Sequence, residues 1–369
     1  MNEALVPLLA CPRRAGAPAG LDDRAVPLCG GALAVRAGKL PVLHGTEPGE
    51  VQEGLLVCLT CGQQHPILAG VAILVPQPED YLRKYYFCLR RDLARHGVLS
   101  SRADQWLSRH QPRTPKREDY GADFRFSQQF EEAADVAEAM GDGTASLYGG
   151  FGEWLRRTRG ENPYSVLAGW ARDWCRDRGL ALDAGCSAGG LAARVGPLFQ
   201  TVIGVDLSFL AVLLARRTLL HRPTAERSYL LTTSRGDGVE RPIPSLGSER
   251  PLPGAEFVVA DCTAFPCPVN LFGAVFSSNV VDIAPMGPVL DEAVRVLRPG
   301  GMFLLTDPFY FRDGAAPRGD PREALRRELR LRGLELQLER DGVPWAWSIY
   351  DRHWRLYFNF CCLSRRIPS

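Results

Sequence analysis

The chain contains 369 residues, of which 46% are hydrophobic, and its formal net charge at pH 7 is only +2. This length suggests two or three domains, and the apolar content is sufficient for packed cores. A net charge so close to zero provides no global field that would attract nucleic acid. No segment has the roughly 20 consecutive apolar residues of a membrane span, and no secretory signal pattern is present. With 11 cysteines, an odd number, these features predict a cytoplasmic protein with reduced thiols.

Four cysteines before residue 65 form the first candidate site: Cys11, Cys29, Cys58 and Cys61. Cys58 and Cys61 have the C-x-x-C spacing that lets two thiolates bind one tetrahedral Zn²⁺. The other two are separated by a longer loop rich in Ala, Gly and Pro. We therefore predict a structural zinc site with four thiolate ligands, for which His44 and His65 are the substitute ligands.

Two other interpretations of these cysteines stay open. The region could fold without metal, with Cys11 and Cys29 as ordinary buried thiols. The C-x-x-C pair could also be a redox centre, but the helix N-terminus and thioredoxin-like βαβ context of such centres are missing from the pattern.

The segments flanking the cysteines resemble a small zinc-binding protein family. Residues 5–12 read LVPLLACP, and residues 64–76 match the closing pattern of that family. Its members occur as free-standing proteins, as activating partners of tRNA and protein methyltransferases, and fused to bacterial methyltransferases. The resemblance implies a small α+β zinc-binding domain over residues 1–78.

Residues 79–164 are predicted to be a helical linker or lid region. Helical patterning and many charges run through it, with breaks at residues 112–115 and 141–143. Tyr148, Phe151 and Trp154 lie near its end. These aromatic side chains either form a lid over a substrate or simply pack against the next domain.

The most informative segment is LALDAGCSAGG at residues 180–190. An apolar run, an acidic residue, a turn of small residues and a helical pattern predict a buried strand, a tight loop and a helix N-terminus. A second strand pattern at 201–205 ends in Asp206, where α/β nucleotide-binding folds hold ribose hydroxyls. A dinucleotide site would require G-x-G-x-x-G, and Ser187 replaces its second glycine.

Three further strand patterns follow, at residues 256–260, 274–279 and 302–306. The first leads into Asp261, and the second ends in Asn279. Apolar residues at helical spacing over 289–297 lie before the third strand. The sequence RPGG that closes this helix is a proline–glycine stop signal.

In this order the segments resemble a class I S-adenosylmethionine-dependent methyltransferase over residues 165–369. The family's acidic residue and G-x-G-x-G loop match Asp183, Gly185 and Gly189, with Ser187 at the central glycine, and RVLRPGG at 295–301 is a common trait of the family. The resemblance implies an α/β fold with a Rossmann-like seven-stranded sheet. It also implies S-adenosylmethionine as cofactor, with these binding residues: Asp183, Gly185, Cys186, Ser187, Ala188, Gly189, Asp206, Leu207, Asp261, Cys262 and Asn279.

The resemblance also implies a role for each part of this set. The glycine loop passes under the amino-acid part of the cofactor, and Asp206 accepts hydrogen bonds from the ribose hydroxyls. Asp261 and the backbone of Cys262 bind the adenine edge, and Asn279 lies where the methyl group faces the substrate.

The C-terminal segment is predicted to complete this fold. Residues 320–333 carry the signals of a helix, with Asp320 as N-cap, and two antiparallel strands follow at 334–338 and 354–363. Trp345, Trp347 and Tyr350 are predicted to lie on the loop between them, at the rim of the substrate site. Residues 234–254 are expected to form an exposed excursion or hairpin.

These patterns predict a methyltransferase that acts on an oxygen or nitrogen nucleophile of a small molecule. Methyl transfer from a sulfonium mainly requires alignment and exclusion of water, so no obligatory catalytic residue is encoded. The candidates near the methyl group are Asn279, Asp282, Asp307 and Tyr310. The alternatives are an RNA or translation-factor methyltransferase and a non-catalytic scaffold that binds the cofactor.

Overall fold

The structure is a computed structural model of the chain. It describes residues 1–14, 27–36, 40–45, 49–113, 162–221, 228–232, 238–242, 252, 254–311, 316–350 and 353–368. Tyr148, Phe151 and Trp154, and most of the predicted linker or lid, lie outside these ranges. None of the helices in the described residues is long and apolar enough to cross a membrane.

The strands are, in chain order, β1 (Leu33–Arg36), β2 (Leu43–His44), β3 (Val51–Cys58), β4 (Gln64–Leu68), β5 (Val71–Leu74), β6 (Leu180–Ala184), β7 (Thr201–Asp206), β8 (Ser228–Thr232), β9 (Gly238–Pro242), β10 (Ala255–Ala260), β11 (Phe272–Ser278), β12 (Leu297–Asp307), β13 (Leu334–Tyr350) and β14 (His353–Arg366). The α-helices are α1 (Pro78–Lys84), α2 (Tyr86–Arg95), α3 (Ser101–Leu107), α4 (Pro163–Trp174), α5 (Gly190–Val195), α6 (Phe209–Leu219), α7 (Met286–Val296) and α8 (Pro321–Leu331).

The C-terminal part of the sheet has the strand order β10-β7-β6-β11-β12-β14-β13. The first five of these strands are parallel, and β14 and β13 add antiparallel to them. Every residue of β10 and of β11 is buried. Strands covered on both faces require such continuous apolar runs, and this is why the patterns in the sequence located them.

The N-terminal strands continue the same sheet. Strands β1, β3, β4 and β5 are antiparallel neighbours, and β5 pairs in parallel with β10 through Ile73–Val259 and Leu74–Ala260. The sequence predicts a sheet of seven strands, whereas the structure contains one of 12. The difference arises because the predicted zinc domain adds its strands to the open edge of β10.

A buried ion cluster joins these two parts of the sheet. The Arg216 guanidinium on α6 contacts Glu256 on β10, and its Nη2 lies 3.2 Å from Oε1 of Glu50, which belongs to the N-terminal part. The three residues expose 2%, 0% and 6% of their surface, respectively. Burial lowers the pKa of Arg216 to about 10, against the opposing charge of Glu50. The arginine therefore stays protonated at neutral pH and compensates the two buried carboxylates.

The C-terminal elements agree with the sequence except at one point. Helix α8 begins after its N-cap Asp320, and β13 and β14 are antiparallel as predicted. Trp345, Trp347 and Tyr350 were expected on a loop, but they belong to β13, which runs 17 residues to Tyr350. That expectation is wrong because the hairpin is much longer than its apolar pattern indicates. Strand β9 lies within residues 234–254 and pairs antiparallel with β8, which lies before this segment, so the hairpin begins earlier in the chain than predicted.

Candidate functional site

A cleft lies at the carboxyl ends of β6, β7, β11 and β12, where ligands bind in open α/β sheets. Its volume is about 820 Å³, including open solvent at its mouth. Its lining residues are Tyr164, Gly185, Ser187, Asp206, Ser278, Asn279, Val280, Asp282, Ile283, Pro308, Tyr310, Trp345 and Tyr357. The structure therefore brings Gly185, Ser187, Asp206, Asn279, Asp282 and Tyr310, six of the predicted site residues, into one cavity.

The glycine loop after β6 has a conformation that depends on small residues. Gly185 has φ +74°, and a Cβ there would lie 2.3 Å from the Val280 Cγ2 atom. Gly189 has φ +86° and is the N-cap of α5. Ser187 also has a positive φ, +46°, and this left-handed conformation explains why the related pattern has glycine there.

Asp206 fixes this loop from the end of the neighbouring strand. Its Oδ2 accepts a hydrogen bond from the Ser187 backbone N–H (2.9 Å), and its Oδ1 accepts one from Ser208 N–H (2.8 Å). Burial raises the pKa of Asp206, although these backbone N–H groups oppose the shift. Each carboxylate oxygen has a second lone pair, so the residue can position the loop and still accept from a ligand hydroxyl.

Asp183 lies beneath the loop, at the end of β6, and is fully buried. Burial raises the pKa of this carboxyl to about 7, the backbone N–H of Ala192 opposes the shift, and the charge of Asp206 adds to it. The residue does not line the cleft. Its position therefore supports an influence on the loop and on the local charge rather than a direct contact with a ligand.

Asn279 lies at the base of the cleft and is held by a polar network. Its φ is +55°, and its backbone N–H donates to the Thr306 carbonyl at 2.8 Å. Its Oδ1 accepts from Nδ2 of the fully buried Asn359 (2.9 Å), which also donates to Thr306 Oγ1 (3.0 Å). These contacts fix the orientation of the Asn279 side chain toward the cleft.

Two acidic residues lie on the other side of Asn279. Asp282 lines the cleft with 6% of its surface exposed, and Asp307 is fully buried at the end of β12. Oδ1 of Asp307 accepts from the Phe309 N–H at 2.7 Å. Burial, and then the charge of Asp282, raise the pKa of Asp307 well above the ordinary value.

Aromatic side chains form one wall of the cleft. The ring of Tyr164 lies 5.7 Å from Trp345, Trp345 lies 6.3 Å from Tyr357, and Tyr357 lies 6.4 Å from Tyr310. Tyr164 is buried near the start of α4, after the capping box of Asn162 and Ser165, and Arg194 lies over its ring. Sequence reasoning missed Tyr164 and Tyr357 as site residues. The N-P-Y motif at 162–164 marks the start of α4 but does not indicate that Tyr164 faces the cleft.

The remaining predicted cofactor residues lie outside the cleft lining, and Asp261 and Cys262 belong to a loop that contributes no residue to it. Cys186 and Ala188 are buried beneath the glycine loop, and Leu207 is 41% exposed after Asp206. Asp261 follows β10, and its Oδ1 accepts from both N–H and Oγ1 of Thr263 at 2.8 Å. Cys262 is partly buried beside it. Their roles toward a cofactor stay predictions.

The four N-terminal cysteines come together as predicted. Their sulfur atoms all lie within 4.8 Å of one another, and the pairs Cys11–Cys61 and Cys29–Cys58 are each separated by 3.7 Å. A disulfide would require about 2.05 Å. Four ligands at the usual Zn–S distance of about 2.3 Å occupy tetrahedral corners about 3.8 Å apart. The sulfur positions therefore fit a tetrahedral Zn²⁺ site.

The two histidines considered as substitute ligands are placed differently. His44 is exposed on β2, outside the cluster. His65 is fully buried, and its Nε2 lies 3.6 Å from Cys11 Sγ. Burial lowers the pKa of His65 to about 4, so the ring is neutral and can donate one N–H to the sulfur. It is placed to support Cys11 rather than to replace it.

Comparison with known proteins agrees with this site. Residues 182–305 match the protein-family model described as "Methyltransferase domain". No curated protein matches the chain. The match confirms the predicted S-adenosylmethionine-dependent methyltransferase activity class, and it covers the glycine loop, Asp206 and Asn279.

Solved structures with similar backbones include two methyltransferases. A SAM-dependent methyltransferase from Methanosarcina mazei is 15% identical, covers 53% of this chain and 96% of its own, and gives a TM-score of 0.38. A geranyl diphosphate C-methyltransferase from Streptomyces coelicolor, bound to Mg²⁺, geranyl-S-thiolodiphosphate and S-adenosyl-L-homocysteine, is 16% identical. It covers 62% of this chain and 84% of its own, with a TM-score of 0.39.

Proposed function

We propose that this protein transfers the methyl group of S-adenosylmethionine to an oxygen or nitrogen nucleophile of a small molecule. The observation that carries the proposal is the shared cleft, which joins the glycine loop and Asp206 to Asn279, Asp282 and an aromatic wall. The cleft combines aromatic side chains with a few converging polar groups, which is the usual composition of a small-molecule site. A nucleoside cofactor and part of an acceptor would occupy it together.

The cofactor half of the cleft would be formed by the loop that starts at Gly185. Gly185 and Ser187 allow the cofactor to approach the backbone closely, and Asp206 accepts from the ribose hydroxyls with its remaining lone pairs. Asp261 and the Cys262 backbone would bind the adenine edge. S-adenosylmethionine supplies a methyl group already activated by its sulfonium sulfur.

The acceptor half would be formed by Asn279, Asp282 and Tyr310. The aromatic wall excludes water from the reaction path and stacks against an apolar acceptor. Asn279, fixed by Asn359, aligns the nucleophile. Asp282 is the candidate base that takes the proton from a hydroxyl or amine as it attacks, because it lines the cleft whereas Asp307 does not.

The four thiolates would hold a structural Zn²⁺. Their tetrahedral spacing supports this proposal, and four sulfur ligands leave no open position for a catalytic water. The metal would fix the N-terminal strands that extend the sheet. It takes no part in the methyl transfer.

The proposal is tested by binding and turnover with matched variants. Calorimetry should show S-adenosylhomocysteine binding to the wild type, with a loss of at least about tenfold for Asp206→Ala. Asp282→Asn should keep that affinity and lower kcat about 100-fold. Exposed Asp173 on α4 provides the control, because Asp173→Asn should change neither quantity.

Acceptor pools and radiolabelled S-adenosylmethionine then distinguish the acceptor classes. Methylation of alcohols or amines in a metabolite extract supports the proposal. Labelling restricted to tRNA, rRNA or protein would contradict the small-molecule acceptor. A cleft that binds nicotinamide nucleotides and not S-adenosylhomocysteine would contradict the whole proposal.

A further inference from the structure

A short N-terminal segment connects the thiolate cluster to the loop that is predicted to bind adenine. Residues 10–14 include the first cysteine of the cluster, and residues 261–267 follow β10. The Arg14 guanidinium Nη2 donates to the Thr263 carbonyl at 2.6 Å. The Ala10 N–H donates to the Pro266 carbonyl at 2.8 Å. The loop is therefore held at two points by the segment that carries Cys11.

The four-cysteine cluster fixes the position of this segment. Cys11 N–H donates to the Gly31 carbonyl, Gly30 N–H donates to the Cys11 carbonyl, and Cys29 N–H donates to the Arg13 carbonyl. Cys11 and Cys29 are thus tied together by backbone hydrogen bonds and by a shared set of four sulfur atoms. Releasing these sulfur atoms would free the segment from which Arg14 reaches the loop.

The contact continues to Asp261. Thr263, whose carbonyl accepts from Arg14, donates from both its N–H and its Oγ1 to Asp261 Oδ1. The far side of the loop is fixed independently by α7, since Arg295 donates to the Phe265 and Cys267 carbonyls and Glu292 accepts from Phe265 N–H. Thus α7 fixes the loop's end, and Arg14 fixes its Asp261 side.

We propose that the four-thiolate centre raises the affinity of the cofactor site by holding Arg14 against the loop at 261–267. Arg14 is then a positioning residue, which acts on the cofactor through Thr263 and Asp261. The inference rests on the proposed function, because it takes the cluster as a zinc site and the loop as part of the cofactor site. Coupling of this kind is reciprocal, so bound cofactor must hold zinc more tightly by the same factor.

The experiment compares Arg14→Ala with Arg13→Ala in the full chain. Arg13 has the same charge and an exposed side chain, and is the matched control. S-adenosylhomocysteine affinity is measured by calorimetry, zinc content by mass spectrometry, and zinc retention by competition with a chromogenic chelator. Arg14→Ala should keep its zinc and its unfolding temperature but bind S-adenosylhomocysteine about five- to tenfold more weakly. Arg14→Lys, which retains a cationic donor, should recover part of the affinity.

The reciprocal measurement makes the coupling specific. In the wild type, saturating S-adenosylhomocysteine should raise the zinc affinity by the same five- to tenfold factor. In Arg14→Ala, the ratio of the zinc affinities with and without S-adenosylhomocysteine should fall close to one. Zinc-loaded Arg14→Ala with wild-type affinity, or equal weakening by Arg13→Ala, would overturn the coupling while leaving the proposed function standing. Failure of the zinc-loaded wild type to bind S-adenosylhomocysteine would overturn both.

Discussion

The two ends of the sheet are stabilised in different ways. Strands β6, β7, β10, β11 and β12 are parallel and, apart from the start of β12, almost entirely buried. The strands from β1 to β5 are antiparallel to one another, and in addition to their apolar core this end contains four clustered sulfur atoms and a buried ion cluster. The stability of the parallel strands is therefore spread over many apolar residues, whereas the N-terminal end also depends on a few polar groups and thiols. Single substitutions should therefore damage the N-terminal end most.

The largest effect is expected for Cys58→Ser. Loss of one thiolate should release zinc and reduce the free energy of unfolding by about 5 kcal/mol or more, because metal binding and folding are coupled. Zinc analysis and thermal unfolding measure this. Cys88→Ser, at a buried thiol of α2 outside the cluster, should retain zinc. Unchanged zinc content in Cys58→Ser would contradict the four-thiolate site.

Arg216→Met should reduce the free energy of unfolding by about 3–5 kcal/mol. The substitution keeps a side chain of similar volume but leaves Glu256 buried without its cation and Glu50 with only His221, whose Nε2 lies 3.3 Å from Oε1 of Glu50. Urea unfolding provides the value. Arg327→Met, at an exposed position of α8 where 59% of the side chain is accessible, should change it by less than about 0.5 kcal/mol. Equal effects of Arg216→Met and Arg327→Met on the free energy of unfolding would show that the ion cluster does not stabilise the junction between the two ends of the sheet.

Asp183→Asn tests, through the pH dependence of stability, whether the buried carboxyl beneath the glycine loop is protonated in the folded protein. The folded pKa of about 7 exceeds the reference 3.8, so between these values the folded protein binds a proton that the unfolded chain has lost. Wild-type stability should therefore fall as pH rises through this window. The Asp183→Asn variant should not show this decrease. Its free energy of unfolding should therefore rise relative to that of the wild type by about 1.4 kcal/mol per pH unit up to pH 7, with no further rise above pH 7.

Urea titrations between pH 4 and 8 measure that slope. Exposed Asp173→Asn should follow the wild-type curve at every pH. A constant difference between Asp183→Asn and the wild type across the range would mean that the buried carboxyl is not protonated on folding.

The smallest effect is expected for Ser187→Gly. Glycine removes the left-handed strain at φ +46°, which is partly offset by its greater freedom in the unfolded chain, so stability should rise by about 0.5 kcal/mol. The neighbouring Ala188→Gly, at a residue without positive φ, should lower stability instead. Chemical unfolding measures whether each substitution raises or lowers stability. Destabilisation by both substitutions would contradict the proposed backbone strain at Ser187.

Sequence patterns located much of the cofactor end because its signals are local. The strand, the turn of small residues and Asp206 lie within one short stretch, and parallel strands bring their carboxyl ends to the same edge. The four cysteines could be grouped because zinc sites have a restricted spacing. The periodicity of the sequence could not show which of these cysteines would lie closest to one another.

Other features depend on contacts between distant residues, and no local pattern encodes them. Tyr164 and Trp345 are in contact although 181 positions separate them in the sequence. Arg216 likewise contacts Glu50, from which it is separated by 166 positions. Pairing of β5 with β10 could not be foreseen, because either strand would satisfy its own pattern without the other. The extent of β13 was missed because its continuation carries polar and aromatic residues without clear alternation.

The pairing of β5 with β10 has a consequence for handling this protein. Without residues 1–78, the six-residue buried strand Ala255–Ala260 would become an open edge with unpaired backbone groups. Such an edge invites intermolecular pairing, so residues 79–369 expressed alone should aggregate. Supplying residues 1–78 as a separate polypeptide during refolding should restore monodisperse protein.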